Sequence, residues 1–319
     1  VPPKMPQGGR GASACHRCCH DGEKYAPCLD VDACAAQGPE AGRYAFLLSF
    51  VGDLRRPKSP QQPCTSWLGY IEAMRQQAEA HSIDILLVMP HNNSASVLPW
   101  HRECMEQYKI KLHLVDWTLP PGMKFWWPGW DPSRKKGWCG PMDLVRLHAF
   151  GFTEYDAVAY FDTDVEFQGD VLPMLRCAAS GYILTTAGPM STINIGFLAV
   201  RPSKKLIAAV IAFAQEADFK NETGWANAGF APWKSKYVGA ECGQGFLHTL
   251  FYKSTDVTRR AFEAAGLPGA ADVQAAMLDV CLWNYQNHAY CPKEFDCGAI
   301  RVHHKPHPWK TQAGDCAKL

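Results

Sequence analysis

Excess charge of either sign is missing from this chain: 32 lysines and arginines stand against 31 aspartates and glutamates, for a net charge of +1. The basic residues are not gathered into a stripe either, so the electrostatic footprint of a nucleic-acid partner is absent and DNA and RNA are set aside. Long apolar runs are equally lacking. None approaches the roughly 18 to 20 residues that span a bilayer, and no signal-like segment follows Val1. A membrane anchor upstream of the given chain is compatible with both observations. Residues 1–42 lack hydrophobic periodicity and are rich in Gly, Pro and Cys, which marks a cysteine-rich extension rather than a domain. The rest, 43–319, reads as one enzyme-sized domain in a chain that is 47% hydrophobic.

Cysteine, by contrast, is abundant, with fourteen in 319 residues. Reduced cytosolic proteins seldom carry so many, and the sequons Asn92-Asn93-Ser94 and Asn221-Glu222-Thr223 are compatible with a secretory route. Cys15, Cys18, Cys19, Cys28 and Cys34 crowd the start, and Cys281, Cys291, Cys297 and Cys316 crowd the end, so disulfide staples at both termini are expected. The stretch "CHRCCH" offers zinc an alternative through Cys15, Cys18 and His20, although no second ligand pair stands at the customary spacing.

Apolar strand-length runs begin after the extension. "YAFLLSFV" (44–51) and "IDILLVM" (83–89) match strands covered on both faces. Between them "TSWLGYIEAMRQQAEAH" sets Trp67, Leu68, Ile71, Met74 and Ala78 at three- and four-residue spacings, a single buried helix stripe. A second helix in "SVLPWHRECMEQY" leads to a strand in "IKLHLV" (110–115), and "GPMDLVRLHAFGF" then "DAVAYF" repeat the alternation. Strand and helix in turn predict an α/β architecture, a mostly parallel sheet with right-handed crossovers.

In such sheets ligands gather outside the carboxyl ends of the strands. "AYFDTDVEF" puts Asp162 and Asp164 at that place, and residues i and i+2 of an extended segment point to the same side. Two carboxylates so placed suit one hard cation, Mn²⁺ or Mg²⁺. The same spacing at Asp30 and Asp32 follows no strand and carries no such reading.

Read outward from Asp162, the chain resembles the retaining glycosyltransferases of the glycogenin, plant glucuronosyltransferase and bacterial lipopolysaccharide galactosyltransferase family. Four stretches carry the resemblance, in the family's order: "LVRLHAFGFTEYDAVAYFDTDVEF" (144–167), "INIGFLAVRPS" (193–203), "GQGFLHTLF" (243–251) and "VHHKPHPWK" (302–310). They cover roughly residues 44–310 and leave the cysteine-rich head unexplained.

The resemblance implies a GT-A type Rossmann-like fold, a nucleotide-sugar donor, most simply a UDP-sugar, and a divalent metal. It implies Asp162, Asp164 and a closing histidine as metal ligands, with His303 favoured over its neighbour His304 for its place after Ile300 and Val302. Arg146 is expected beside the donor or the acidic triplet, Thr163 and Gly196 at the donor, and Asn194 at its sugar hydroxyls. Ser49, Phe50 and Asp53 stand where the family holds the nucleoside, and Gln244 beside the anomeric carbon. This chain also departs from the pattern. The family's Asp-Gln pair is Gly243-Gln244 here, so Glu241 is the candidate replacement carboxylate, and the diphosphate-binding lysine aligns with His307. "KFWWPGW" (124–130) offers Phe125, Trp126, Trp127 and Trp130 either to the core or to stacking against sugar faces in an acceptor groove.

The expected function is therefore metal-dependent retaining transfer of a sugar to a glycan or glycoprotein acceptor in the secretory pathway, in the Golgi lumen. A non-catalytic relative that binds nucleotide sugar or glycan, and a nucleotide-sugar hydrolase, are the alternatives. Gly243 favours the first of these, and the retained aspartates and histidines oppose it.

Overall fold

The computed structural model describes residues 28–49, 64, 68–91, 94, 97–116, 141–188, 191–229, 239–267, 273–286, 291, 294–304 and 316. A short helix, α1 (Val31–Ala35), opens the described chain, and Asp30 caps it by accepting from Ala33 N at 3.0 Å. That local task accounts for the first of the two paired aspartates near the start.

The apolar runs form the expected strands: β1 (Tyr44–Ser49), β2 (Asp84–Pro90), β3 (Ile110–Val115) and β4 (Ala157–Phe161). Helices α2 (Ile71–His81) and α3 (Pro99–Gln107) connect the first three. The segment before β4 is helical as expected, but winds as a 3-10 helix over Pro141–Gly151. In that tighter winding residues three apart stand over one another, which aligns Asp143 with Arg146. After β4 come β5 (Val165–Phe167), α4 (Leu172–Ala179), β6 (Ile183–Gly188), β7 (Ser191–Val200) and α5 (Lys204–Glu216). A small hairpin, β8 (Phe219–Lys220) and β9 (Gly224–Trp225), carries the second sequon in its turn. The described chain ends with α6 (Gly243–Tyr252), α7 (Asp256–Ala264), β10 (Ala275–Leu278), α8 (Val280–Trp283) and β11 (Val302–His304).

Seven strands make one sheet in the order β10-β6-β7-β4-β1-β2-β3. β1 pairs in parallel with β2 and β4, β2 with β3, and β6 with β10, while β7 runs antiparallel to both its neighbours. The fold is α/β, with a mostly parallel, Rossmann-like sheet flanked by helices. Alternation along the strands feeds two cores. Phe46, Leu48, Ala159 and Phe161 join the residues of α2, α3 and α4 on one face. Ala45, Leu47, Val158 and Tyr160 join the 3-10 helix, α5, α6 and α7 on the other. Each large side chain so buried contributes about 1.5 to 3 kcal/mol, which is why these strands read as continuous apolar runs.

Every described cysteine is disulfide-bonded. Cys281–Cys291 and Cys297–Cys316 are the expected staples near the end, and Cys64–Cys104 fastens α3. Cys34–Cys177 reaches further, tying α1 to α4 across 143 residues of chain, so the last part of the cysteine-rich head is packed into the first core. Cys15, Cys18 and His20, the alternative zinc ligands, lie outside the described residues. Disulfides on this scale belong to an oxidising, secretory-type compartment. Among the described residues no helix is long and apolar enough to cross a membrane.

Candidate metal centre

The sheet order turns at β1 and β4: from β1 the chain runs outward through β2 and β3, then returns to place β4 on the opposite side of β1. Ligands of open α/β sheets sit at such a switch point, outside the carboxyl strand ends. Here those ends are Ser49 and Asp162. Asp162 N donates to Gly196 O at 3.0 Å, which holds the triplet against β7 as the chain leaves the sheet. Gly69, whose φ is +62°, lies against the triplet from below, and a Cβ there would stand 1.7 Å from Thr163 O. No residue with a side chain fits that contact.

β5 pairs antiparallel with β11, setting His304 opposite Val165 and His303 opposite Glu166. Asp162, Asp164 and His304 thereby offer ligand atoms that all lie within 4.8 Å of one another. The preference for His303 is corrected: neighbours on a strand point to opposite sides, and only His304 faces the carboxylates. His303 turns to the Tyr285 ring, 5.2 Å away between centroids, and to Gln168, whose Nε2 is 3.3 Å from His303 Nδ1.

His304 is 1% exposed, and its Nε2 lies 3.2 Å from Asp164 Oδ1 in no hydrogen bond. Opposite it, a Cβ on Gly196 would sit 2.5 Å from His304 Cε1 and 2.7 Å from Asp162 Oδ2. Two carboxylates and an imidazole nitrogen thus converge on a space kept open by a glycine. That donor set fits a hard or borderline divalent cation such as Mn²⁺ or Mg²⁺.

Asp162 is held on its other oxygen. The Tyr160 hydroxyl donates to Asp162 Oδ1 at 2.7 Å and lies 3.1 Å from Ser49 Oγ. Burial pushes the Tyr160 phenol far above its usual range, so it remains a donor. Arg146, nearly buried, donates through Nη1 to Ile195 O at 2.9 Å and to Asp162 Oδ1 at 3.5 Å, with its Cζ 4.7 Å from the centroid of the Tyr160 ring. Its Nε donates to Asp143 O at 2.7 Å, and its Nη2 to Asp143 Oδ1. Burial works against the Arg146 charge, but the carboxylates of Asp143 and Asp162 outweigh it and hold the guanidinium protonated. Burial also pushes the Asp143 carboxyl up, opposed by Arg146.

Asp143 Oδ2 accepts from Gly243 N at 3.1 Å, so the chain Asp162, Arg146, Asp143 links the acidic triplet to the start of α6. A Cβ on Gly243 would stand 2.5 Å from Ile195 Cδ1 and 2.7 Å from Asp143 Oδ2. The aspartate of the resembled family cannot be restored at 243 while Asp143 keeps its place. Gln244 is buried in the first turn of α6, and Glu241 is half-buried just before it, its carboxyl pushed up by burial. Asn194 turns Oδ1 to its own strand, accepting from Gly196 N at 2.9 Å. Phe50, Asp53, His307 and the tryptophan stretch at 124–130 lie outside the described residues.

Sequence reasoning missed Asp143 and Asn284. Asp143 had a signal, an acidic residue three before Arg146 on a helix. Asn284, whose Oδ1 is 2.8 Å from His304 Nδ1, had none. The chain matches no protein-family model and none of the curated proteins with which it was compared.

Proposed function

We propose that the protein is a metal-dependent retaining glycosyltransferase of GT-A type, moving a sugar from a UDP-sugar to a glycan or glycoprotein in the secretory pathway, in the Golgi lumen. The observation that carries this reading is the convergence of Asp162, Asp164 and His304 at the sheet's switch point. The four matching stretches and the disulfides support it. Bound there, Mn²⁺ or Mg²⁺ would act as a Lewis acid against the charge that builds on a departing diphosphate.

The chain's own residues prepare that site. Tyr160 and Arg146 engage Asp162 Oδ1 and leave Oδ2 facing the space beside Gly196. Asp143, the buried carboxylate next to this network, is occupied by Arg146 and Gly243 N, which leaves it poorly placed for nucleophilic attack. A front-face reaction, with Gln244 beside the reacting carbon, accords better with that arrangement than a covalent double displacement.

The test is release of UDP from UDP-glucose, UDP-galactose, UDP-glucuronate, UDP-xylose and UDP-N-acetylglucosamine, with and without Mn²⁺. Turnover of one donor that depends on Mn²⁺ and disappears in Asp162→Ala is expected. Cation-dependent binding of a donor with no turnover or transfer would instead favour the nucleotide-sugar-binding alternative, which the closed position at Gly243 supports.

A further inference from the structure

His304 is gripped on the side away from the aspartates by an amide. Asn284, fully buried at the end of α8, sets Oδ1 2.8 Å from His304 Nδ1, and its Nδ2 donates to Thr186 Oγ1 at 2.6 Å. Gln286, half-buried, brings Nε2 to 3.0 Å of the same ring nitrogen. The second ring nitrogen, Nε2, is buried and in no hydrogen bond, although Asp164 Oδ1 is 3.2 Å away.

A neutral imidazole has one proton for two nitrogens, and an N–H lies in the ring plane. On Nε2 that proton makes no hydrogen bond, although Asp164 Oδ1 is 3.2 Å away. On Nδ1 it meets Asn284 Oδ1. Turning the Asn284 amide over would keep its bond to Thr186, with the hydroxyl as donor, but would oblige Nδ1 to accept and strand the proton on Nε2. Gln286 acting as a donor to Nδ1 would strand it in the same way, and its amide is longer and less enclosed. The arrangement with every buried proton accepted therefore puts the lone pair on Nε2, on the side where the carboxylates converge.

We infer that Asn284 is a positioning residue for the cation site: by accepting the Nδ1 proton of His304, and braced by Thr186, it presents the Nε2 lone pair to a hard divalent cation. The inference rests on the cation site proposed above, but not on sugar transfer. Amide or carboxylate acceptors behind a ligating histidine fix its tautomer and orientation in this manner. Thr186 lies on β6 and Asn284 caps the end of α8, so a strand of the sheet braces the group that holds the ring.

Aspartate can only accept, and leucine can do neither, so substitution separates the roles. Mn²⁺ affinity is measured on the full chain without donor, by calorimetry and electron paramagnetic resonance. Asn284→Leu is expected to weaken binding by roughly 10- to 100-fold, Asn284→Asp to bind as well as the parent or tighter, and Thr186→Val to fall between. Nitrogen-15 chemical shifts of His304 in the unsubstituted, Mn²⁺-free chain need no variant to fold; followed through a pH series, they are expected to show the neutral ring as the tautomer with its proton on Nδ1. Unchanged binding in Asn284→Leu, loss in Asn284→Asp equal to that in Asn284→Leu, or a neutral ring in the parent that carries its proton on Nε2 would each overturn the inference. A chain that binds Mn²⁺ with this dependence but turns over no nucleotide sugar leaves the inference standing and removes the transferase reading. Donor turnover with binding indifferent to Asn284→Leu does the reverse.

Discussion

The Tyr160 hydroxyl donates to Asp162 Oδ1 at 2.7 Å, joining a buried aromatic of β4 to the first carboxylate beyond the strand. A hydrogen bond to a charged group contributes about 1.5 to 3 kcal/mol, and this one also fixes which oxygen Asp162 turns outward. Tyr160→Phe is expected to lower stability by about that amount and to weaken Mn²⁺ binding. Calorimetric melts and metal titration of the same sample check both, and unaltered Mn²⁺ affinity would separate Tyr160 from the site.

Single removal of a ligand should be severe. Asp162→Ala, Asp164→Ala and His304→Ala are each expected to abolish measurable Mn²⁺ binding at micromolar protein and all cation-dependent turnover, since the remaining two ligands compete poorly with the cation's hydration shell. His303→Ala should leave Mn²⁺ affinity near that of the parent. The reverse ranking of the two histidines in a metal titration would return the assignment to His303.

Gly196→Ala tests the open space rather than a ligand. Its Cβ would stand 2.5 Å from His304 Cε1 and 2.7 Å from Asp162 Oδ2, so the ring and carboxylate must move apart. Loss of Mn²⁺ binding with a melting change of about 1 to 3 kcal/mol is expected. A variant that still binds Mn²⁺ as the parent does would show that the site closes less tightly than these distances require.

Alkaline stability should report on Tyr155. Its hydroxyl donates to Asp84 Oδ2 at 2.8 Å, and burial together with that bond pushes the phenol up to about 12. A raised folded-state pKa gives stability that is complete below the unfolded value of about 10 and is lost as pH rises toward 12. The parent should therefore lose more stability than Tyr155→Phe between about pH 10 and 12, as read by denaturant titration. Parallel pH profiles for the two would sink the assignment.

Cutting the Cys34–Cys177 link by Cys34→Ala/Cys177→Ala frees a loop of 143 residues in the unfolded chain. In the chain-entropy view that costs about 5 kcal/mol of stability, with the loss visible as a lower denaturation midpoint. A midpoint equal to that of the parent would mean that α1 is held by packing alone.

Much of this was legible in the residues. The runs at 44–51, 83–89 and 110–115 declared buried strands because both sheet faces are covered, and the acidic triplet declared itself by following one. The choice between His303 and His304 was not legible, because on a three-residue strand it depends on which side of β11 meets β5. A one-residue change in that register would exchange the two rings. Asn284 and Thr186 were invisible for another reason: they lie 98 positions apart and meet only where the end of α8 packs against β6. Glycine at 243 read as a lost carboxylate, whereas the fold fills that place with Asp143, a hundred positions earlier.

The ribbon of β5 and β11 imposes an order on biosynthesis. A nascent chain that has completed β4 exposes both aspartates but has no imidazole to set beside them until His304 has emerged. On the reading proposed above, capture of a cation would be a late event, following pairing of β11 with β5.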